Sequence, residues 1–135
     1  MTAREYVKQL ERIDILIASK AAEKARWEAL ALDTGARQSG DRVQGSGNQQ
    51  KMAGAVESAV DIDAEIASLQ AQRHEITRTL EKLQVDEFWV LNEVYGKHVS
   101  VGQAAWDRGR SYSWARALHN RALENLEKLL NDYVV

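Results

Sequence analysis

Cysteine and proline are both absent from this chain of 135 residues. Without cysteine the chain can form neither a disulfide framework nor a thiolate metal site. Without proline, no residue interrupts a helix by removing a backbone hydrogen-bond donor. The three histidines, His74, His98 and His119, are far apart in the sequence and match no metal-ligand spacing. We therefore expect a mostly helical protein with no metal and no cofactor.

Long hydrophobic runs are lacking as well. No apolar stretch approaches the roughly 20 residues that a membrane-spanning helix needs. The amino-terminal sequence MTAREYVKQL is charged and amphipathic, without the apolar centre of a secretory signal. We expect a soluble, cytoplasmic protein of one domain or two small domains, with no membrane partner.

The net charge is slightly negative overall but positive in one segment. The chain has a net charge of −2 and a pI of about 5.9. Between Gly96 and Arg121, five basic residues and one acidic residue give a local net charge of +4, which leaves −6 for the rest of the chain. This asymmetry favours a basic carboxy-terminal segment, suited to a polyanion, on an acidic body.

Helical periodicity dominates the amino-terminal half. Residues 3–31 predict one long helix, because apolar side chains recur at steps of three and four, at Ala3, Tyr6, Leu10, Ile13 and Ile17. Residues 33–50 contain four glycines among Ser, Asp, Asn and Gln, and such a composition cannot bury enough apolar surface to order itself. The segment is predicted to be either a flexible connector or a binding loop, and the residues do not choose between the two.

Residues 51–84 predict a second long helix with a coiled-coil seam, since apolar residues alternate at steps of four and three over about four heptads. Two such helices joined by a loop most simply form an antiparallel helical hairpin, here covering residues 1–84. One hairpin buries little surface, so we expect a homodimer. The expected oligomer interface consists of Ile62, Ile66, Leu69, Arg73, Ile76 and Leu80. Arg73 needs an acidic partner, which Glu11, Asp14 or a second copy of the chain could supply.

Residues 85–135 predict a three-helix domain that contains a helix-turn-helix. Asp86 is expected to cap a first short helix, EFWVLNEVY. Ser100 is expected to cap a second helix that Gly109 ends in a left-handed conformation, and Ser111 to cap a longer third helix. In this motif the second of the two joined helices enters the DNA major groove. The expected fold class is all-α, a long antiparallel coiled-coil hairpin followed by a helix-turn-helix domain.

The last predicted helix has one apolar face and one polar face. The apolar positions, which should be buried, are Ala115, Leu118, Ala122, Leu126 and Leu129. The positions left toward solvent are Tyr112, Ser113, Arg116, Ala117, His119 and Asn120. Arg and Asn can read guanine and adenine, while Ser and Tyr often contact phosphate. Any soluble helix also has a polar face, so DNA binding and plain solvation both remain open.

The run from Asp86 to Leu130 resembles the DNA-binding fourth region of bacterial sigma factors. The most specific part is the closing sequence Leu118-His119-Asn120-Arg121-Ala122-Leu123. Nearly the whole chain resembles a narrower family, the small phage-encoded, sigma-like late transcription regulators of the ArpU and RinA kind. The further shared features are the start TAREY, the Gly/Ser loop DRVQGSGN and the Lys-Met pair at 51–52.

The resemblance implies a phage or prophage regulator of late-gene promoters, working in the cytoplasm of a bacterial host cell. Its partners would be double-stranded DNA and RNA polymerase. The DNA-binding residues would be Lys97, Arg108, Arg110, Tyr112, Ser113, Arg116 and Asn120.

Two other functions fit the same residues. A phage small-terminase-like DNA-packaging subunit also joins a helix-turn-helix to an oligomerising hairpin, and would form rings of eight or more copies. A protein-only adaptor would bind a partner through the hairpin without contacting DNA. An enzyme is not expected, because the acidic residues at 61–65 and at 87 and 93 have no nucleophile partner and match no catalytic motif.

Overall fold

The chain is helical throughout the part that the structure describes. The computed structural model describes residues 1–38 and 45–132, with side chains for all of these except 33–38, 45–53, 55 and 56. The elements are α1 (Ala3–Gln38), α2 (Gly45–Leu80), α3 (Val85–Leu91), a π-helix (Asn92–Gly96), α4 (Val101–Asp107) and α5 (Tyr112–Asp132). These described residues contain no strand, so the predicted all-α class is confirmed.

The first helix begins at a reciprocal capping box. The backbone N–H of Glu5 donates to Thr2 Oγ1 at 3.1 Å, and the N–H of Thr2 donates to Glu5 Oε2 at 3.3 Å. These bonds satisfy donors that a helix start leaves free. Ala3, Leu10 and Ile13 are buried, so this part of the predicted apolar stripe of α1 is confirmed, and Val7, which was not predicted, is buried beside them.

The two long helices extend further into the glycine-rich segment than its composition predicts. Residues 33–38 still belong to α1, and residues 45–50 already belong to α2. The predicted loop over 33–50 is therefore too long at both ends, and its remaining part, 39–44, lies outside the described residues. A physical reason is that extending an existing helix adds one hydrogen bond per residue fixed, so helices can continue into segments of modest propensity.

The chain divides into two compact units that do not follow the predicted boundary after residue 84. Unit 1 consists of Met1–Asp14 together with Gln72–Val135, and unit 2 is Ile15–Ala71. The start of α1 and the end of α2 therefore belong with the carboxy-terminal helices. The burial of Val7 and Leu80 shows the reason, because both side chains are inaccessible to solvent in unit 1.

Nearly all of the hydrophobic core lies in unit 1. Here α5 packs against α3 and α4, and the largest buried apolar side chains come from every part of the unit: Val7, Leu10, Leu80, Val90, Leu91 and Leu126. In the described part of unit 2, Ile62 is the one fully buried apolar residue.

Unit 2 is instead joined by ion pairs. Lys20 pairs with Glu65, and Lys24, one turn later on α1, pairs with Asp63 at 2.8 Å. Positions that rise along α1 thus fall along α2, so the two helices run in opposite directions within this unit. No helix of the described residues is both long and apolar enough to cross a membrane.

Much of the predicted oligomer interface is occupied within one chain. Ile62, Ile76 and Leu80 are buried, at 5%, 4% and 0% exposure. Ile66, Leu69 and Arg73 are half-buried. Three of the six positions therefore offer no exposed surface to a second copy, because the chain itself covers them.

Candidate nucleic-acid interface

The segment predicted to be a helix-turn-helix is closed by the local contacts that its sequence predicts. Ser100 Oγ accepts a hydrogen bond from the N–H of Gln103 at 3.1 Å and so caps α4. Gly109 has φ 70°, and the N–H of Arg110 donates back to Ala105 O at 2.9 Å. Ser111 Oγ accepts from the N–H of Trp114 at 3.1 Å at the start of α5. All three predicted roles are confirmed.

The predicted cap at Asp86 is wrong. Helix α3 begins at Val85, with Gln84 as its N-cap and no side-chain cap bond. Asp86 lies in the first turn and instead accepts a hydrogen bond from Arg108 Nη2 at 2.8 Å. A distant cation has therefore replaced the local amide as its partner.

The burial pattern of α5 agrees with its predicted apolar face. Ala115, Leu118, Ala122 and Leu126 are at most 3% exposed, and Leu129 is half-buried. On the other side five of the six predicted positions are exposed: Tyr112, Ser113, Arg116, Ala117 and Asn120. We call Tyr112, Ser113, Arg116 and Asn120 the recognition face.

His119 is the exception, because it is buried at 8% exposure rather than facing solvent. Each helical residue advances about 100° around the axis, so His119 lies only about 40° from the buried Ala115, at the edge of the buried face. Its Nε2 lies 2.8 Å from Tyr95 Oη, and the two rings stack with centroids 5.6 Å apart. Helical periodicity predicts that His119 is exposed, but packing against Tyr95 buries it.

The His119 ring also contacts the recognition face. Burial lowers the pKa of His119, although its hydrogen bond with Asn120 opposes that shift. The neutral ring can accept the Tyr95 hydroxyl at Nε2 and donate from Nδ1 to Asn120 Oδ1, 3.4 Å away. This arrangement satisfies both ring nitrogens and turns the Asn120 carbonyl oxygen toward His119.

The two arginines of the turn lie against tryptophans. The guanidinium carbon of Arg108 is 4.3 Å from the ring centroid of Trp89 and 5.7 Å from that of Trp114. The guanidinium of Arg110 lies 4.9 Å from Trp114. These are cation–π distances, and they restrict both arginines before any ligand arrives. The sequence analysis assigned no role to this cluster, since Trp89 lies 19 positions from Arg108.

Lys97, the remaining predicted DNA contact, precedes α4. It is exposed and pairs with Glu93, one turn earlier, at 3.0 Å. Of the seven predicted DNA-binding residues, four thus share the recognition face, two lie in the turn before it, and Lys97 is separate. Two of the seven, Lys97 and Arg108, already have carboxylate partners.

A second polar cluster lies in unit 1; the sequence indicated Arg73 and Asp14 as possible partners but gave no sign of His98. Arg73 donates to Asp14 through Nε at 2.7 Å and Nη2 at 3.2 Å, and through Nη2 to Gly96 O at 2.8 Å. His98 Nε2 lies 2.8 Å from the same carboxylate, and His98 has a left-handed φ of 62°. We call Asp14, Arg73 and His98 the anchor cluster. Of the three partners considered for Arg73, Asp14 pairs with it.

The anchor cluster stabilises a charged carboxylate at the end of the π-helix. Burial of Asp14 disfavours its ionised form, but hydrogen bonds and charge from Arg73 and His98 outweigh this and lower the pKa of Asp14. A Cβ at Gly96 would lie 2.7 Å from Asn92 Oδ1, so a larger residue there would force the Asn92 side chain to move. The described residues contain no group of three or more acidic or histidine side chains able to hold a metal ion.

Trp106 is the most exposed large apolar residue of this region, at 81% exposure on α4.

Comparisons with protein-family models, with curated proteins and with solved structures found no match to this chain.

Proposed function

We propose that the chain is a phage or prophage transcription regulator that binds double-stranded DNA through a sigma-like helix-turn-helix. In this proposal α1 and α2 form an antiparallel coiled-coil hairpin that dimerises. The helices α4 and α5 form the DNA-binding motif, and late-gene promoters and RNA polymerase are its targets. The proposal rests on the residues of the family resemblance and on one structural observation, the recognition face.

That observation is the combination of a buried apolar stripe and an exposed polar face on the first turns of α5. Ala115, Leu118 and Ala122 hold the helix on the core of unit 1, while Arg116 and Asn120 are exposed one turn apart on the opposite side. Arginine and asparagine at that spacing can reach neighbouring base edges in a major groove. Electrostatics support the same ligand, because this segment carries a local net charge of +4.

The turn arginines would then bind phosphate. Stacking on Trp89 and Trp114 holds the guanidinium groups of Arg108 and Arg110 in place. A preordered cation loses less side-chain entropy when it binds a phosphate. Arg108 would have to exchange the Asp86 carboxylate for a phosphate oxygen, an exchange between two similar anionic acceptors.

The test is fluorescence anisotropy with random-sequence duplex DNA at about 50 and 200 mM salt. We expect Arg116→Ala to weaken binding, because it removes a positive charge from the proposed interface with the DNA polyanion. Arg121→Ala is the matched control, since Arg121 is exposed on the same helix but lies about 140° around its axis. Equal effects of the two substitutions would remove the recognition face from the interface.

A protein-only adaptor is the second candidate, and two observations favour it. Trp106 is 81% exposed, and tryptophan is enriched among the residues that contribute most to protein–protein binding. Lys97 and Arg108 are also already paired with carboxylates. Absence of any DNA binding at 50 mM salt would select the adaptor, with Trp106 as the first residue to substitute.

A further inference from the structure

The outer face of α1 in unit 2 carries an apolar heptad seam that points away from α2. Its members are Ile15, Ala18, Ala22, Ala25, Ala29 and Leu32, at steps of three, four, three, four and three, and all six are exposed. We call this set the outer seam. Ile15 and Leu32, its two ends, are 61% and 75% exposed.

The ion pairs fix which side of α1 faces α2. Lys20 and Lys24 contact Glu65 and Asp63 across the helix pair. On a helical wheel these lysines lie roughly opposite the outer seam. Lys20 and Lys24 thus lie on the side of α1 that faces α2, and the outer seam leaves apolar residues on the side where a helix pair made to stand alone in water would carry polar ones.

The described part of unit 2 also buries too few apolar side chains to hold the two helices together by itself. Ile62 is the one fully buried apolar residue in its described part, whereas Ile15, Leu30, Leu32 and Val60 are all exposed. A strict alternation of three and four over 18 residues is the spacing that packs against another helix, not against a small ligand. The missing cover for this face is therefore a helix.

We propose that the outer seam is the interface with a second copy of this chain, packed antiparallel about a two-fold axis. The spacing of the seam reads the same in both directions, so a reversed copy meets it in register. Ile15 then faces Leu32 of the other copy, Ala18 faces Ala29, and Ala22 faces Ala25. Large side chains meet at both ends, and alanines between them let the helices approach closely. Such self-complementarity is what a two-fold interface requires.

The size of the seam fits a modest dimer. Eighteen residues of helix span about 27 Å, and a contact strip about 10 Å wide along them covers about 270 Å² on each copy, about 540 Å² in total. That area is smaller than the roughly 1,000 Å² of a stable interface, so we expect a weak dimer that dissociates in the micromolar range. The exposed apolar residues of α2, Val60, Ala64, Ala67 and Ala71, cover only 12 residues and include one large side chain, so the outer seam is the better candidate.

Sedimentation equilibrium from about 1 to 100 μM tests the interface directly. We expect the 15.2 kDa chain to double in mass over this range. Ala25→Glu should weaken the dimer about 100-fold, because each dimer would bury two carboxylates. Ala67→Glu, an equally exposed alanine on α2, is the control and should leave the dimer unchanged. A chain that stays monomeric, or a dimer lost only with Ala67→Glu, would overturn the proposal.

Disulfide cross-linking tests the orientation, since the chain has no cysteine of its own. Ala18→Cys in unlabelled chain is mixed with Ala29→Cys in ¹⁵N-labelled chain and oxidised, and intact mass identifies the products. Mixed 18–29 dimers support the antiparallel seam, whereas 18–18 and 29–29 dimers would contradict it. Species of eight or more copies would also contradict it and favour a ring. The inference rests on the proposed dimerisation and not on DNA binding, which is measured separately by anisotropy.

Discussion

Replacing Asp14 with alanine should destabilise unit 1, because this single carboxylate bonds to side chains from two distant parts of the chain, Arg73 and His98. It accepts from Arg73 Nε at 2.7 Å and from Arg73 Nη2 at 3.2 Å, and His98 Nε2 lies 2.8 Å away. The side chains of Asp14, Arg73 and His98 are 26%, 31% and 42% exposed. The cluster is therefore neither a surface ion pair nor a fully buried one.

The expected loss in the free energy of unfolding lies between the values for a surface ion pair and for a fully buried one. Hydrogen bonds to charged groups contribute about 1.5–3 kcal/mol each when water is excluded, whereas exposed ion pairs contribute about 0.2–1 kcal/mol. We expect Asp14→Ala to lower the free energy of unfolding by about 2 kcal/mol, as an order of magnitude. Glu11→Ala, an exposed acid one turn earlier on α1, should stay within about 0.5 kcal/mol of the unsubstituted chain.

The assay is urea denaturation followed by tryptophan fluorescence, with a double-mutant cycle between Asp14→Ala and Arg73→Ala. A coupling energy of about 1 kcal/mol is expected for residues in direct contact. The pKa of Asp14 is lowered in the folded state, so its contribution is fully present above the unfolded value, near pH 4, and is lost as pH falls through the folded value. The difference between the unsubstituted chain and Asp14→Ala should accordingly shrink below pH 4. Additive substitutions, or a difference that persists unchanged at pH 2, would refute this account.

Two further substitutions test the helix-turn-helix. Gly109→Ala should cost about 1–2 kcal/mol of stability, because φ is 70° and the space around an added Cβ is otherwise empty. Gly54→Ala is its control in thermal unfolding: it is helical with open space, so it should stabilise by about 0.5–1 kcal/mol. Asp86→Asn should raise affinity for random duplex DNA about two- to fivefold by releasing Arg108 from an exposed ion pair. Asp107→Asn changes the charge equally without touching Arg108, and an equal gain from both variants in anisotropy would show a general charge effect.

The helix caps and the turn between residues 100 and 111 could be predicted from the sequence because they depend on local contacts. Ser100 and Ser111 each accept a hydrogen bond from the backbone N–H three residues later, and Gly109 adopts the left-handed φ that ends α4. Their roles therefore depend on short-range geometry that the sequence already contains. The buried stripe of α5 was predictable for the same reason, because helical periodicity alone sets which side chains share a face.

Contacts between distant residues could not be predicted in this way. Asp14 and His98 are 84 positions apart, and Asp86 and Arg108 are 22 positions apart. Asp86 had a plausible local role as a cap, yet α3 begins one residue before it, and its carboxylate bonds to Arg108 instead. The prediction that His119 faces solvent was wrong for a related reason, since only the fold brings the Tyr95 hydroxyl within reach of the imidazole ring.

The oligomer interface shows the same limit at the scale of a whole helix. Helix α1 holds two heptad stripes, one through Leu10, Ile13 and Ile17 and one through the outer seam, and periodicity supports both. The first has the larger side chains, so the sequence favours it as the buried face; its continuation, however, passes through Lys20 and Lys24. In the structure those lysines bond to acids of α2, which commits the first stripe to the chain itself. Of the two stripes on α1, the outer seam is therefore the one that remains exposed. The proposed contact with a second copy then uses the stripe with the smaller side chains, which is the weaker hydrophobic signal in the sequence.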